Sequence, residues 1–304
     1  MSRNYGTAIT PGRFLIAGPT ASGKSALALR LARETGAAII NADSMQVYRD
    51  LRIITARPTP EEEEQAPHRL FGEIDGAVNF SVGHWLRAVA PLVQDHAPLI
   101  LVGGTGLYFK ALTQGMSDMP DVPPEVRARV RTEAEGRAPE ELHAALAARD
   151  PATAAKLRPS DPQRILRAME VLEATGQSLV SFQGARQTPL LAPGTFRAIF
   201  LDVDRADLRA RIVRRFETMM ENGALDEVRT LDARALDPAL PVMRAHGVPG
   251  LLAFLRGECS REEAIARGIL DTQRYAKRQV TFARHQLPDF AFATSDVARD
   301  ALIA

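Results

Sequence analysis

The stretch RFLIAGPTASGKS, residues 13–25, decides how this chain reads. Residues 14–17 form a short apolar run of the kind that makes a buried strand. Gly18, Pro19, Thr20, Ala21, Ser22, Gly23, Lys24 and Ser25 then fit G-x-x-x-x-G-K-[ST], a phosphate-binding loop. Residues 26–35 read as a helix, with Leu27 and Leu31 on one face and Gly36 as its stop. Strand, loop and helix follow one another in the order the motif requires. The loop amides and the helix N-terminus are suited to a polyanion. Lys24 adds a point charge, and the Ser25 hydroxyl suits a magnesium ion. The loop calls for a diphosphate or a triphosphate. It does not name the compound or say whether phosphate is transferred.

Outward from this loop, the composition is that of an ordinary globular protein. The chain has 304 residues, 45% of them hydrophobic and 25% charged, enough for one large domain or two smaller ones. No apolar run approaches a membrane span, and the first residues lack a signal peptide's charged-then-apolar design. The single cysteine, Cys259, rules out an internal disulfide and a cysteine metal cluster. A cytoplasmic, membrane-free protein is the expectation. A net charge of +1 is no nucleic-acid signature, so any basic surface must come from uneven distribution.

Residues 1–12 read as a short lead-in. Residues 37–42 form a second apolar strand that ends at Asp43. Ligands of parallel sheets sit at the carboxyl ends of strands, so Asp43 is a candidate site residue. Residues 61–64 are an acidic turn, and 80–94 a helix with Trp85, Leu86, Val89 and Leu92 inward. Residues 98–102 are a third strand. It runs into Gly103-Gly104-Thr105-Gly106, a second glycine turn before a helix that can bring Thr105 to the same anion. From residue 118 the texture changes to charged helices at 125–135, 139–149 and 162–175, between linkers at 119–124 and 183–194. Residues 118–194 therefore read as a helical insertion, with 1–117 and 195–304 as the two parts of a sheet domain. Its arginines (Arg127, Arg129, Arg131, Arg164, Arg167) face either nucleic acid or solvent. Strand character returns at 196–203. Helices follow at 206–222, 226–235, 248–255 and 262–286. The first carries Leu208, Ile212, Phe216 and Met219 or Met220 as its apolar stripe, with Arg211 and Arg215 one turn apart. The last places Arg274, Lys277, Arg278, Thr281 and His285 near one face, a basic stripe without acidic partners.

Chemistry alone leaves three classes open: a small kinase, a nucleotide-driven switch, and a transferase that grips a diphosphate leaving group. The apolar strand at 98–102 ends in Gly-Gly rather than in the aspartate that usually holds magnesium, which weakens the ATPase readings.

Several strings taken together closely resemble the tRNA dimethylallyltransferases, also called tRNA isopentenyltransferases. They are GPTASGKS at 18–25, NADSMQVY at 41–48, TARP at 55–58, PHRL at 67–70 and LVGGTGLYFKAL at 101–112, followed by DPQRILRAMEV at 161–171, RF at 215–216 and YAKRQVTFAR at 275–284. The resemblance spans nearly the whole chain. It implies an α/β fold, a P-loop NTPase-like parallel sheet flanked by helices, with an all-helical insertion that clasps the anticodon stem-loop. The reaction implied is transfer of a dimethylallyl group from dimethylallyl diphosphate to the exocyclic amine of the adenosine 3′ of the anticodon, in tRNAs reading codons that begin with U.

Residues 18–25 would then hold the donor's diphosphate rather than ATP, with Mg2+ on Ser25. By the family pattern Asp43 is the general base, and Thr105 and Arg215 lie near the reacting diphosphate, Arg211 being the nearby alternative. The tRNA contacts implied are Asp43, Ser44, Met45, Gln46, Thr105, Arg127, Gln163, Arg164, Ile165, Leu166, Arg167 and Arg244, with phosphate contacts from Arg274, Lys277 and Arg278. Departures occur at 244–250, where RAHGVPG stands for the family's R-x-x-G-Y-R-Q, and at 53–57, where a glycine is missing and Arg57 replaces lysine. No zinc-finger extension of the kind some eukaryotic relatives carry is found, which suggests a bacterial-type enzyme; a monomer is the separate expectation.

Overall fold

The computed structural model describes residues 12–95, 97–184 and 187–303. The expected lead-in lies outside them apart from Gly12, and so do two residues of the 183–194 linker. The chain forms two compact units, one of residues 1–113 and 190–304 and the other of residues 114–189.

The larger unit is built on a parallel sheet ordered β3-β2-β4-β1-β5-β6. Its strands are β1 (Arg13–Ala17), β2 (Ala38–Asn41), β3 (His68–Arg69), β4 (Leu99–Gly103), β5 (Arg197–Leu201) and β6 (Ala291–Ala293). The central strands read as continuous apolar runs because helices cover both faces. Leu15, Ile16, Ile100 and Leu101 are fully buried. β1 lies between β4 and β5, with Ala17 opposite Gly103 and Phe200. The chain leaves β1 for β2, two places away, so the connections diverge at the carboxyl ends of β1 and β4. Sheets of this kind place their ligands at such a point. A side chain on Gly103 would sit 2.1 Å from the Ala42 carbonyl, so that glycine lets the two strand ends close on each other.

The helices of this unit are α1 (Lys24–Thr35), α2 (Pro60–Glu63), α3 (Val82–Gln94), α4 (Gly106–Gln114), which ends at the unit's border, and then α9 (Arg205–Glu221), α10 (Ala224–Asp232), α11 (Val248–Leu255), α12 (Arg261–Gln286) and α13 (Ala298–Ile303). The apolar stripe of α9 resolves as Leu208, Ile212, Phe216 and Met220, leaving Met219 for the site. On α3 the buried stripe is Trp85, Val89 and Val93, four residues apart, and Leu86 and Leu92 flank it only partly buried.

The smaller unit holds α5 (Pro124–Ala134), α6 (Pro139–Arg149), α7 (Pro151–Ala154) and α8 (Pro162–Thr175). Proline opens each of them, where its missing N–H costs nothing. Val130, Leu142, Leu146, Ile165 and Ala168 make their common core.

Candidate active site

The loop after β1 closes tightly. Ala21 takes φ 62° and Gly23 φ 92°, a left-handed stretch that turns amides toward one point. No side chain caps the N-terminus of α1, so its first-turn amides stay open to an anion. Two of the expected cradle amides are spent on protein acceptors, one within the loop and one on α12. The Ser22 N–H donates to the Pro19 carbonyl at 3.2 Å, and the Thr20 N–H donates to Gln279 Oε1 at 3.0 Å. The anion-facing set is therefore narrower than the motif implies. Lys24 is half-buried and reaches the Pro19 carbonyl at 3.4 Å. Burial lowers its ammonium to about 8; Asp43 opposes that shift and Arg215 adds to it.

Asp43 sits just past β2. The buried Asn41 fixes it by accepting the Asp43 N–H (2.8 Å) and donating to its carbonyl (2.9 Å). Trp85 Nε1 donates to the Asn41 carbonyl at 2.8 Å and so ties the strand end to α3. The Met45 N–H donates to Asp43 Oδ1 at 2.9 Å, and among the described residues Oδ2 has no backbone donor. Thr105 accepts the Ser44 N–H (2.9 Å) and donates to Ser44 Oγ (3.2 Å), which joins the β2 and β4 turns.

Asp43, Thr20, Arg215 and His246 line one cavity of about 70 Å³ with Met45, Ile54, Ile212, Phe216, Met219 and Tyr275. One wall is charged and the other apolar. Burial pulls the Arg215 guanidinium below its usual range, offset in part by Asp43, and Arg215 has no ion-pair partner within 4 Å among the described residues. Arg211 does not line the cavity, so of the two candidates Arg215 is the one placed for a ligand. The His246 ring packs on Tyr275 at 4.6 Å between centroids. Burial and then Arg278 lower its imidazole, against Asp271 and Asp43, so it is neutral near pH 7. Burial, and next the charge of Asp43, push the Tyr275 hydroxyl well above its usual range.

Not every expected contact is available. Gln46 Nε2 is committed to the Thr55 and Ala56 carbonyls at 2.9 and 2.8 Å. Ile165 is 0% exposed in the helical unit's core, so its side chain has no surface to offer, while Gln163 and Arg164 are exposed at the start of α8. Arg244 lines a separate cavity of about 450 Å³ with Arg256 and Arg267. The α12 stripe is not free of acids, because Arg274 pairs with Asp271 at 3.8 Å; Lys277 and Arg278 stay exposed, and Arg278 lies 5.6 Å from the centre of the Tyr275 ring. In the smaller unit, Glu170 gathers Arg127 (3.8 Å), Arg131 (3.1 Å) and Arg167 (3.9 Å), and Glu173 gathers Arg129 and Arg149. Sequence reasoning missed Asn41, Tyr275, His246 and Gln279. Tyr275 and Gln279 bracket the YAKRQ string, the one signal that pointed at them.

A family model described as IPP transferase matches residues 46–286. A tRNA dimethylallyltransferase of Methylocella silvestris is 64% identical over 283 residues, 92% of this chain and 93% of that one. The Beijerinckia indica protein of the same name is 63% identical over 93% of this chain and 95% of its own. Among solved structures, a tRNA isopentenylpyrophosphate transferase of Bacillus halodurans is similar with TM-score 0.65 at 31% identity, covering 93% of this chain and 89% of that one. A eukaryotic dimethylallyltransferase acting on tRNA reaches TM-score 0.76 at 26% identity, covering 96% of this chain and 76% of its own.

Proposed function

The chain belongs to the IPP transferase family, and from that membership we propose how its site works. The enzyme transfers a dimethylallyl group from dimethylallyl diphosphate to N6 of the adenosine 3′ of the anticodon in tRNAs reading codons that begin with U, and releases diphosphate. The observation that carries the mechanism is the shared cavity: a carboxylate, a phosphate-loop residue and a half-buried arginine line one space with an apolar wall.

An adenine exocyclic amine is a weak nucleophile, because its lone pair is delocalised into the ring. Asp43 accepts the amine proton as the bond from N6 to the allylic carbon forms and the carbon–oxygen bond to diphosphate breaks. Negative charge grows on the departing diphosphate. The first-turn amides of α1, Lys24 and Arg215 meet it without having to reorganise. The apolar side of the cavity suits a short prenyl chain, and its neutral His246 adds no positive charge next to the reacting carbon. The target base leaves its stack to reach Asp43, a cheap step in a single-stranded loop.

Among the described residues no group of three or more His, Cys, Asp or Glu is arranged to hold a metal. Magnesium keeps most of its waters and takes substrate phosphate oxygens with one or two protein oxygens, so a single exposed hydroxyl beside the open amides of α1 fits it. Ser25, exposed in the first turn of α1, is the protein oxygen we assign to it. When bound, the ion neutralises charge on the leaving diphosphate.

The exposed side chains at the start of α8, with Arg127 and Arg167 at Glu170, are assigned to RNA phosphates, as are Lys277 and Arg278 on α12. No helix among the described residues is long and apolar enough to cross a membrane. The reading takes the enzyme as a monomer in the cytoplasm, where uncomplexed tRNA is met; a dimer in size-exclusion chromatography with light scattering contradicts the monomer.

One incubation tests the activity. Labelled dimethylallyl diphosphate and unmodified tRNA yield labelled tRNA without ATP. ATP-dependent phosphorylation of a small acceptor in place of prenyl transfer overturns the reading.

A further inference from the structure

Gln279, on α12, is 6% exposed and joins two loops that the chain keeps far apart. Its Oε1 accepts the Thr20 N–H of the phosphate loop at 3.0 Å, and its Nε2 donates to the Gly104 carbonyl of the second glycine turn at 2.8 Å. The orientation of the amide is fixed chemically, since an N–H must meet oxygen and a carbonyl must meet NH2. The fit leaves no slack. A Cβ on Gly104 would lie 2.1 Å from Nε2 and 3.4 Å from Asp43 Oδ2. One turn earlier on the same helix, Tyr275 lies in the cavity wall, near the side chains of Thr105 and Gln279.

We propose that Gln279 is a positioning residue, a single amide that holds the diphosphate cradle in register with the acceptor turn carrying Thr105 and packed on Asp43. The inference rests on the reading above, in which the donor's diphosphate occupies the phosphate loop and the adenine meets Asp43. Each loop is shaped by its own strand and helix, so each substrate keeps its binding surface without Gln279. What Gln279 sets is the distance between the two loops. An error of about 1 Å between reacting atoms costs on the order of 10²-fold in rate. No other neutral side chain does both tasks at this length. Methionine matches the volume but has neither hydrogen bond, and asparagine keeps the amide but is one methylene too short to reach both loops.

The test compares Gln279→Met and Gln279→Asn with the unaltered full-length enzyme. Inorganic diphosphate binding is read by calorimetry, tRNA binding by filter retention, and transfer by single-turnover kinetics with both substrates saturating. The expected result is a split: transfer falls about 10²-fold while both dissociation constants stay within about threefold. A transfer rate within about threefold of the unaltered enzyme overturns the proposal. So does a rate loss matched by an equal loss of diphosphate affinity, because the residue would then only be shaping the loop. If Gln279→Met does not fold, Gln279→Asn decides by the same two criteria. Failure of the unaltered enzyme to transfer any prenyl group refutes the reaction itself and so is told apart from failure of this inference.

Discussion

Two clusters of charge in this molecule are built in opposite ways. In the sheet unit, Arg215 lines a cavity with the Asp43 carboxylate and Lys24 feels both of their charges, and neither cation makes an ion pair within 4 Å among the described residues. Burial penalises both charges, and the charge of Asp43 offsets only part of the penalty. In the helical unit, Glu170, with 4% of its side chain exposed, is met by three guanidiniums, and Glu173 by two more. There the protein supplies the counter-charge itself. A half-buried cation held without an ion pair waits for an anion that comes and goes. Arginines held on a carboxylate are fixed in place before any ligand arrives, and their outer nitrogens stay at the surface. The first arrangement serves a reacting diphosphate, and the second a phosphate backbone that must be met in a fixed register.

The sharpest way to break this contrast is at the carboxylate of the reactive cluster. Asp43→Ala is expected to lower single-turnover transfer by about 10²- to 10⁴-fold while tRNA affinity stays near that of the unaltered enzyme. Near-normal transfer would remove the general base from the account.

Lys24→Ala comes next. It is expected to lower kcat/KM for the donor by about 10²-fold. The same lysine sets a pH dependence. Its ammonium is lowered to about 8, so it is cationic below that pH and neutral above it. Inorganic diphosphate affinity is therefore expected to fall as pH rises through 8, and this fall is expected to vanish in Lys24→Ala. Ionisation of the diphosphate is common to both proteins and cancels in their ratio. A parallel fall in the two places the effect outside Lys24.

Glu170→Gln probes the other cluster. The arginines it holds are 29–36% exposed, so screening keeps the loss of stability to about 2 kcal/mol, read by urea unfolding. KM for tRNA is expected to rise severalfold with little change in kcat, because loosened guanidiniums meet phosphates less often. A fall in kcat with KM unchanged would show that this cluster also serves the chemistry and would erase the contrast.

Arg211→Ala is expected to have the smallest effect. It lies one turn from Arg215 but outside the cavity lining, and donor kinetics are expected to stay within about twofold. A loss equal to that of Arg215→Ala would exchange the two assignments.

How much of this the sequence discloses depends on the range of the interaction involved. The β1 strand, the phosphate loop and α1 follow from local rules: an apolar run, two glycines, and a helical period that ends at Gly36. The boundaries of α6, α8 and α11 follow from their opening prolines and from Gly176 and Gly247. β3 and β6 were not anticipated. At two and three residues they carry no periodicity, and each forms only because a neighbouring strand of the sheet offers it an edge. Asp43 is legible because it ends a strand. Gln279 is not, because its two partners are backbone groups 259 and 175 residues away. The α12 stripe was misread as free of acids although Asp271 stands three residues before Arg274, in plain view at helical spacing. Arg167 and Glu170 form another such local pair, whereas Arg127 and Arg131 reach Glu170 from a different helix, which only the fold shows.

The central claim is that one cavity holds the leaving diphosphate and the base that frees the adenine. A crystal structure with an unreactive analogue of the prenyl donor and an anticodon stem-loop tests it directly. The account predicts diphosphate oxygens on Lys24 and Arg215, with the adenine amine within about 3 Å of the Asp43 carboxylate. A donor seated elsewhere, or an adenine amine beyond the reach of Asp43, contradicts it.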